Sequence, residues 1–227
     1  MSTKPKSSFP RKAKILVVDD HPMVRERMME IIRRERDMEV CGEAADVSQT
    51  LAAVAKLHPD VVLLDLNLRG VLGLDLIKDI SARFPSLPML VVSMYDEVVF
   101  AERVLRAGAK GYISKEEPTK VVVGAIRRVL ANETYLSERM AARLARAYVH
   151  GKDKSIQSSF EQLTDRELEI LEMIGEGLTT RRIAETLHID IRTVESYRAR
   201  IKEKLHLQTG TELLMRAIEW SQHVGAT

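Results

Sequence analysis

The chain has 227 residues, of which 45% are hydrophobic and 30% are charged, and its formal net charge is +2. This balance excludes a disordered chain, and the length favours one large domain or two small ones. Cys41 is the single cysteine, which excludes a disulfide scaffold and a cysteine-based zinc site. We expect a cytoplasmic protein, because no apolar run approaches the ~18 residues of a membrane helix and residues 1–14 lack the apolar region of a secretory signal.

The N-terminal segment is basic. Residues 1–14 carry five basic side chains and no acidic one, and they also contain two prolines and several serines. This composition predicts a flexible basic arm over residues 1–12. A nucleic-acid-binding arm is the less favoured interpretation.

Residues 13–135 alternate short β-branched runs with amphipathic stretches. The predicted strands are Lys14–Val18, Glu39–Glu43, Val61–Leu64, Met89–Ser93 and Gly111–Ile113. The predicted helices are Met23–Glu35, Val47–Leu57, Leu74–Phe84, Glu97–Ala107 and Thr119–Leu130. Five such β–α units predict an α/β domain, a doubly wound five-stranded parallel sheet of the flavodoxin type with helices on both faces.

The remainder of the chain differs in composition and in residue pattern. Residues 136–160 begin with an Ala/Arg-rich stretch and continue into a polar stretch with Gly and Ser, so we expect a helical and then flexible linker. Residues 161–227 show no strand pattern and predict a small all-α domain of four helices.

N-cap residues and capping-box patterns indicate where these helices begin. Thr164 and Glu167 form a capping-box pattern before the first helix, and Thr209 and Glu212 repeat it before the last. Asp190 is placed as an N-cap of the third helix. The second and third helices are predicted at about Thr180–Leu187 and Ile191–Leu205.

Three aspartates follow two of the predicted strands of the sheet. Asp19 and Asp20 end the first strand, and Asp65 ends the third. If these strands are neighbours, the carboxylates converge at the edge where doubly wound sheets bind ligands. Like charges at that distance repel unless a cation lies among them, and hard oxygen ligands suit Mg²⁺. A carboxylate beside Mg²⁺ is also a possible nucleophile toward phosphorus.

Ser93 and Lys115 fall on the same predicted edge, after the fourth and fifth strands. They are suited to supply a hydroxyl and a cation to an attached phosphoryl group. The alternative is that such strand-end residues are helix caps or solvated loop positions. So many polar residues at one sheet edge make that interpretation the weaker one.

Short motifs in the first domain resemble the signature of bacterial response-regulator receiver domains over about 120 residues. They are Val17–Pro22, Leu63–Asn67, Val92-Ser93 and Gly111–Lys115. The resemblance implies that Asp65 is the phosphate-accepting aspartate. The chain departs from the family at Arg69, because the family often has a proline at this position before Gly70. This difference puts the lifetime of the phosphoryl group in doubt.

The same resemblance implies roles for the other polar residues. Asp20 and the backbone carbonyl of Asn67 would bind Mg²⁺ directly together with Asp65, and Asp19 would bind it through water. Ser93 and Tyr112 resemble the switch pair that reports phosphorylation. Lys115 resembles the lysine that pairs with the phosphoryl group.

The second and third C-terminal helices, with their short connection, fit a helix-turn-helix. Several segments of this region resemble the LuxR-type helix-turn-helix over about 60 residues, with the third helix entering the major groove. They are Leu163–Glu167, Ile170-Leu171, Gly177-Leu178, Ile183-Ala184, Thr193–Glu195 and Lys204-Leu205.

The resemblance implies DNA contacts by eight residues of the third helix. They are Arg192, Thr193, Glu195, Ser196, Arg198, Ala199, Arg200 and Lys202. Of these, Glu195, Ser196 and Ala199 would lie nearest the base edges, and the basic residues would contact phosphates. The spacing of Tyr197 favours the core, with a phosphate contact as the alternative.

The last helix of such domains commonly pairs two subunits, which would make the operator a pseudo-palindrome. The residues expected to form the dimer contact are Leu213, Ala217 and Trp220. For Leu213, burial within one subunit is an equal alternative. Leu214 is a further candidate under the same alternative.

The favoured hypothesis is a two-domain response regulator of the NarL/FixJ type. A sensor histidine kinase or a small phosphodonor would phosphorylate Asp65 with Mg²⁺, and the phosphorylated homodimer would bind double-stranded DNA. Apart from self-phosphorylation and slow self-dephosphorylation, no enzymatic activity is expected, because an aspartyl phosphatase usually needs a second carboxylate where this chain has Asn67. The alternative is a phosphorylation-independent DNA-binding regulator that uses its receiver as a dimerisation module.

Overall fold

A computed structural model describes residues 11–68, 71–150 and 159–225 of the chain. Within these ranges the strands are β1 (Ala13–Val18), β2 (Met38–Ala44), β3 (Val61–Leu64), β4 (Asn67–Leu68), β5 (Val71–Leu72), β6 (Met89–Ser93) and β7 (Gly111–Ser114). The helices of the first half are α1 (Pro22–Arg33), α2 (Val47–Leu57), α3 (Leu74–Arg83), α4 (Glu97–Ala107) and α5 (Thr119–Leu130). A 3₁₀ turn at Ser159–Gln162 follows α6 (Glu138–His150), and then come α7 (Asp165–Gly175), α8 (Thr180–Leu187), α9 (Ile191–Lys204) and α10 (Gly210–Gly225).

The central sheet has five parallel strands in the order β2-β1-β3-β6-β7, so the predicted fold class is confirmed. The order reverses between β1 and β3, which is the switch point where doubly wound sheets bind ligands. The pair β4–β5 is antiparallel and was not predicted from the sequence. Each of these two strands has only two residues, too few to show an alternating pattern.

The sheet is buried on both faces, and the alternation of side chains along β1 shows why. Ile15 and Val17 pack with apolar residues of α1 and α5, whereas Leu16 and Val18 pack with those of α2, α3 and α4. All four residues of β3 are buried, as expected for a central parallel strand. This rigid sheet fixes the positions of the loops that follow its strands.

The C-terminal helices begin at the predicted signals. Thr164 and Glu167 form a full capping box at α7, which confirms that prediction, and Thr179 caps α8. Asp190 occupies the N-cap position of α9, but its side chain makes no capping hydrogen bond. A side chain at Gly175 would clash with the backbone of Ala217, so this glycine permits the close packing of α7 on α10.

The C-terminal helices and the α/β domain are docked through a shared apolar cluster. Trp220 of α10 stacks on Tyr95 with 5.8 Å between ring centroids, and it also contacts Phe100 and Phe160. One cluster of buried apolar side chains therefore runs from the α4 face of the sheet into the C-terminal helices. Trp220 is 6% exposed, so docking leaves little of its ring in solvent.

Polar contacts surround this apolar cluster. Arg103 of α4 donates to Asp165 at 2.7 Å and to the carbonyl oxygen of Leu163 at 2.6 Å. Helix α6 packs beside α4, where the Ser137 hydroxyl donates to Glu97 at 2.6 Å. The first part of the predicted linker is thus a helix that packs on the α/β domain.

Some sequence predictions fall outside the described residues: most of the basic arm, Arg69 with Gly70, and the polar part of the linker at 151–158. Within the described ranges, no helix is long and apolar enough to cross a membrane.

Candidate phosphorylation site and DNA-binding surface

The three predicted carboxylates meet at one end of the sheet. The β1–β3 register pairs Val18 with Leu64, so the residues that follow each strand emerge side by side. Asp19, Asp20 and Asp65 each place an oxygen within 4.8 Å of the others, and a nitrogen of His21 lies in the same group. The structure therefore brings together the carboxylates that the sequence placed at two separate strand ends.

Lys115 is the cation of this edge. Its Nζ lies 2.7 Å from Asp19 Oδ2 and 2.8 Å from Asp65 Oδ2, and both carboxylates are buried. Burial alone would lower the pKa of Lys115, but the charges of Asp65 and Asp19 overcome it and the pKa is raised. Burial raises the pKa of Asp65 to about 6 against the opposing effect of Lys115, and the charge of Asp19 adds to the increase.

The donor set suits a hard divalent cation. Lys115 pairs with Asp19 and Asp65, and Asp20 adds a third carboxylate, so negative charge remains at this edge. Carboxylate oxygens at this spacing are ligands that Mg²⁺ accepts. The acidic cluster can therefore hold a metal ion.

The predicted switch residues are buried next to this edge. Ser93 and Tyr112 are 1% and 0% exposed. The Tyr112 hydroxyl donates to the carbonyl oxygen of Tyr95 at 2.6 Å, and the Tyr95 N–H donates to Ser93 Oγ at 3.3 Å. Both predicted switch residues thus bond to the backbone of one residue, Tyr95, which the sequence did not single out.

The third helix of the C-terminal half, α9, presents the face that was predicted to contact DNA. Five of the eight predicted residues are exposed: Arg192, Glu195, Ser196, Ala199 and Arg200. The other three, Thr193, Arg198 and Lys202, are half-buried. Tyr197 is half-buried, and it packs against the apolar core and under the Arg200 guanidinium, 5.8 Å from its ring centroid.

Comparisons with known proteins fit this geometry. Residues 15–127 match the response regulator receiver domain model, and residues 161–217 match that of bacterial regulatory proteins of the luxR family. The oxygen regulatory protein NreC of Staphylococcus haemolyticus is 37% identical over 210 residues, covering 91% of this chain and 97% of that protein. NreC of Staphylococcus carnosus matches to the same extent. The chain belongs to the LuxR-type two-component response regulators.

Solved structures agree with this assignment. A LuxR-family response regulator from Aurantimonas sp. SI85-9A1 is 32% identical with a TM-score of 0.58, covering 62% of this chain and all of that one. RcsB of Salmonella typhimurium, 23% identical, shares the fold with a TM-score of 0.74 over 92% of this chain and 98% of its own. This response regulator is a phosphorylation-controlled regulator of transcription. Its relatives are transcription regulators, which disfavours the aspartyl phosphatase hypothesis.

The structure places the residues predicted for dimerisation inside this response regulator. Leu213 and Ala217 are fully buried and Trp220 is 6% exposed, because α10 packs on α7 and Trp220 also contacts the receiver domain. Among the α10 side chains that the structure describes, the large apolar ones that are exposed are Leu214 and Met215, at 41% and 61%. A dimer contact through the three buried residues stays a prediction that requires α10 to leave its present environment.

The residues of the domain interface were not predicted from the sequence. Glu172 of α7 is 3% exposed and faces the Tyr95 hydroxyl and the Trp220 indole. Tyr95 Oη and Glu172 Oε2 are nevertheless buried without a hydrogen bond of good geometry within the described part of the chain. Burial raises the pKa of Glu172 to about 7, the Tyr95 and Trp220 contacts lower it, and the charge of Glu176 raises it.

Glu172 had a signal in the sequence that was not used. It lies four residues after Leu168, on the apolar face of its helix, where a carboxylate is costly unless a partner covers it. Tyr95 and Arg103 carried no comparable signal, because their partners come from the other domain.

Proposed function

We propose that Asp65 accepts a phosphoryl group and that the receiver domain then releases α10. The observation that carries the proposal is the position of Asp65, which is buried at the switch point of the sheet and shares the Lys115 ammonium group with Asp19. A sensor histidine kinase or a small phosphodonor supplies the group. The protein acts in the cytoplasm.

The chemistry follows from the residues at the sheet edge. An Asp65 carboxylate oxygen attacks phosphorus, the bond from phosphorus to the donor breaks, and the donor departs with the electron pair, leaving an acyl phosphate on Asp65. Asp20, Asp65 and the Asn67 carbonyl would hold Mg²⁺ directly and Asp19 would hold it through water. Bound there, Mg²⁺ offsets charge on the phosphoryl oxygens.

Lys115 is placed to stabilise the product. Its ammonium group already contacts Asp65, so it can pair with a phosphoryl oxygen once the Asp65 carboxylate is phosphorylated. Apart from this transfer to itself and a slow return to inorganic phosphate, the protein catalyses no reaction.

Tyr95 connects the phosphorylation site to the DNA-binding domain. Its backbone is bonded to the switch pair Ser93 and Tyr112, and its ring stacks on Trp220. Movement of Ser93 toward a phosphoryl oxygen and of Tyr112 away from the Tyr95 carbonyl would disturb this stack. Phosphorylation thereby weakens docking and frees α10 for a homodimer.

The DNA-binding step uses the exposed face of α9. Glu195, Ser196 and Ala199 lie at the positions that approach base edges in double-stranded DNA, and Thr193 adjoins them. Arg192, Arg198, Arg200 and Lys202 contact phosphates and position the helix. A dimer of two such domains fits a pseudo-palindromic operator.

The test is phosphoryl uptake from radiolabelled acetyl phosphate with Mg²⁺, in the full-length protein. Asp65→Asn should abolish incorporation, whereas Asp79→Asn, at an aspartate of α3 outside the site, should leave it at the wild-type level. An Asp65→Asn protein that took up label at wild-type stoichiometry would overturn the assignment. Solution mass measured with beryllofluoride then reports whether the phosphorylated form dimerises.

A further inference from the structure

A carboxylate of the DNA-binding domain lies at the edge of the phosphorylation site. Glu176 directly follows α7, and it accepts a hydrogen bond from the Asn67 side chain. Asn67 comes two residues after Asp65, and the charge of Asp20 also acts on Glu176. The docked domain thus adds a further negative charge to an edge that already carries three aspartates.

The rest of the interface holds Glu176 in this place. Helix α7 is anchored at its beginning by the pair between Arg103 and Asp165, at 2.7 Å, and Lys78 lies 3.6 Å from the same aspartate. Near its other end, Glu172 is enclosed by Tyr95 and Trp220. Because α7 is held at both ends, the backbone of Glu176 is held as well, and its side chain is exposed beside Asn67.

We propose that docking of the DNA-binding domain slows phosphoryl transfer to Asp65, with Glu176 as the residue responsible. Phosphodonors are anions, and an exposed carboxylate that contacts Asn67 at the edge of the site raises the electrostatic cost of their approach. This inference rests on the proposed role of Asp65. It is distinct from the Ser93 and Tyr112 switch, because it acts through charge and needs no side-chain movement.

The same repulsion acts in the opposite direction once the group is attached. A phosphoryl group brings roughly two negative charges to the edge. Glu176 then faces a more negative neighbour, so the docked arrangement is weakened at the point where α7 meets the Asn67 loop. Phosphorylation and docking are therefore antagonistic, as linkage requires when each disfavours the other.

The test compares initial rates of phosphoryl uptake by full-length protein from acetyl phosphate with Mg²⁺ at low ionic strength. Glu176→Gln removes the charge but keeps an oxygen that can accept the hydrogen bond of Asn67. We expect it to raise the initial rate about threefold or more, and the gain should shrink as added salt screens the charge. Glu203→Gln, at an exposed glutamate of α9, makes the same change in net charge and should leave the rate unaltered.

A second variant tests whether the effect depends on docking. Trp220→Ala removes the ring that contacts Tyr95 and Phe100, so the domain spends less time docked and uptake should be faster than in the wild type. In this background, Glu176→Gln should add little further acceleration.

Three results would overturn the inference: an unchanged or slower rate in Glu176→Gln, an equal gain in Glu203→Gln, or an undiminished gain in the Trp220→Ala background. Asp65→Asn separates this outcome from failure of the proposed function. If Asp65→Asn blocks uptake while Glu176→Gln has no effect, the inference fails and the role of Asp65 stands.

Discussion

Two helices of the DNA-binding domain relate to the receiver domain in opposite ways. On α9, Glu195 and Ser196, which are proposed to approach base edges, are exposed although the domains are docked. On α10, Trp220 is enclosed by Tyr95 and Phe100 of the receiver. Docking therefore buries the apolar face of α10 and leaves the polar face of α9 exposed. The difference favours the proposal that phosphorylation acts through assembly of the DNA-binding domains rather than by unmasking α9.

A mutation that undocks α10 from the receiver domain should have the largest effect on stability. Trp220→Ala removes an aromatic ring that contacts three others, and we expect a loss of about 3–5 kcal/mol in the free energy of unfolding. Urea denaturation followed by circular dichroism measures the loss, and small-angle scattering should show a larger radius of gyration as the domains separate. Trp220→Phe keeps an aromatic contact and should lose less. A loss below about 1 kcal/mol with an unchanged radius would contradict the proposed closure.

A change in pH should open the same contact to a smaller extent. The pKa of Glu172 is about 7 in the docked state and its ordinary value is 4.5, so protonated Glu172 favours docking. Docking is strongest below pH 4.5 and weakens as the pH rises through about 7, by at most about 3 kcal/mol.

Trp220 fluorescence measured between pH 5 and pH 8 would follow this change, since the ring lies beside Glu172. Glu172→Gln cannot ionise and should lose this part of the pH dependence, even though Asp65 still titrates. Identical profiles for the two proteins would show that Glu172 does not control docking.

A substitution on the exposed face of α9 should alter the sequence specificity of DNA binding without altering docking. Glu195→Ala removes a potential acceptor for a cytosine amino group and should cost about 1–3 kcal/mol of discrimination at one base pair. Binding titrations on an operator obtained by in vitro selection, and on single-base variants of it, measure this loss. The same loss of discrimination is expected with and without beryllofluoride. A loss that appeared only with beryllofluoride would mean that docking masks α9 after all.

The smallest effect is expected from the polar rim of the interface. Arg103→Ala removes a partly exposed ion pair and hydrogen bonds to backbone carbonyls, so docking should weaken by roughly 1 kcal/mol. A small increase in the radius of gyration would report it. Arg106→Ala is the matched control, because Arg106 pairs within α4 with Glu102 and is well exposed. Equal effects of the two variants would show that Arg103 makes no specific contribution to docking.

The phosphorylation site was predictable from the sequence because its residues follow buried strands. Once β1 and β3 are neighbours, the backbone alone brings Asp19, Asp20 and Asp65 together. The interface was not predictable in this way, because Tyr95 and Arg103 have partners that lie far along the chain in the other domain. Apolar periodicity identified the buried face of α10, but it could not distinguish a partner subunit from α7 and the receiver domain.

Trp220 is the only tryptophan of the chain, so its fluorescence reports directly on the closed helix. The decisive measurement is the emission spectrum of the full-length protein with Mg²⁺, before and after addition of beryllofluoride, in the wild type and in Asp65→Asn. A change in the wild-type emission spectrum that is absent in Asp65→Asn is the predicted result, because Trp220 would leave Tyr95 and Phe100. An unchanged wild-type spectrum, under conditions in which beryllofluoride binding is verified independently, would contradict release of α10 by phosphorylation.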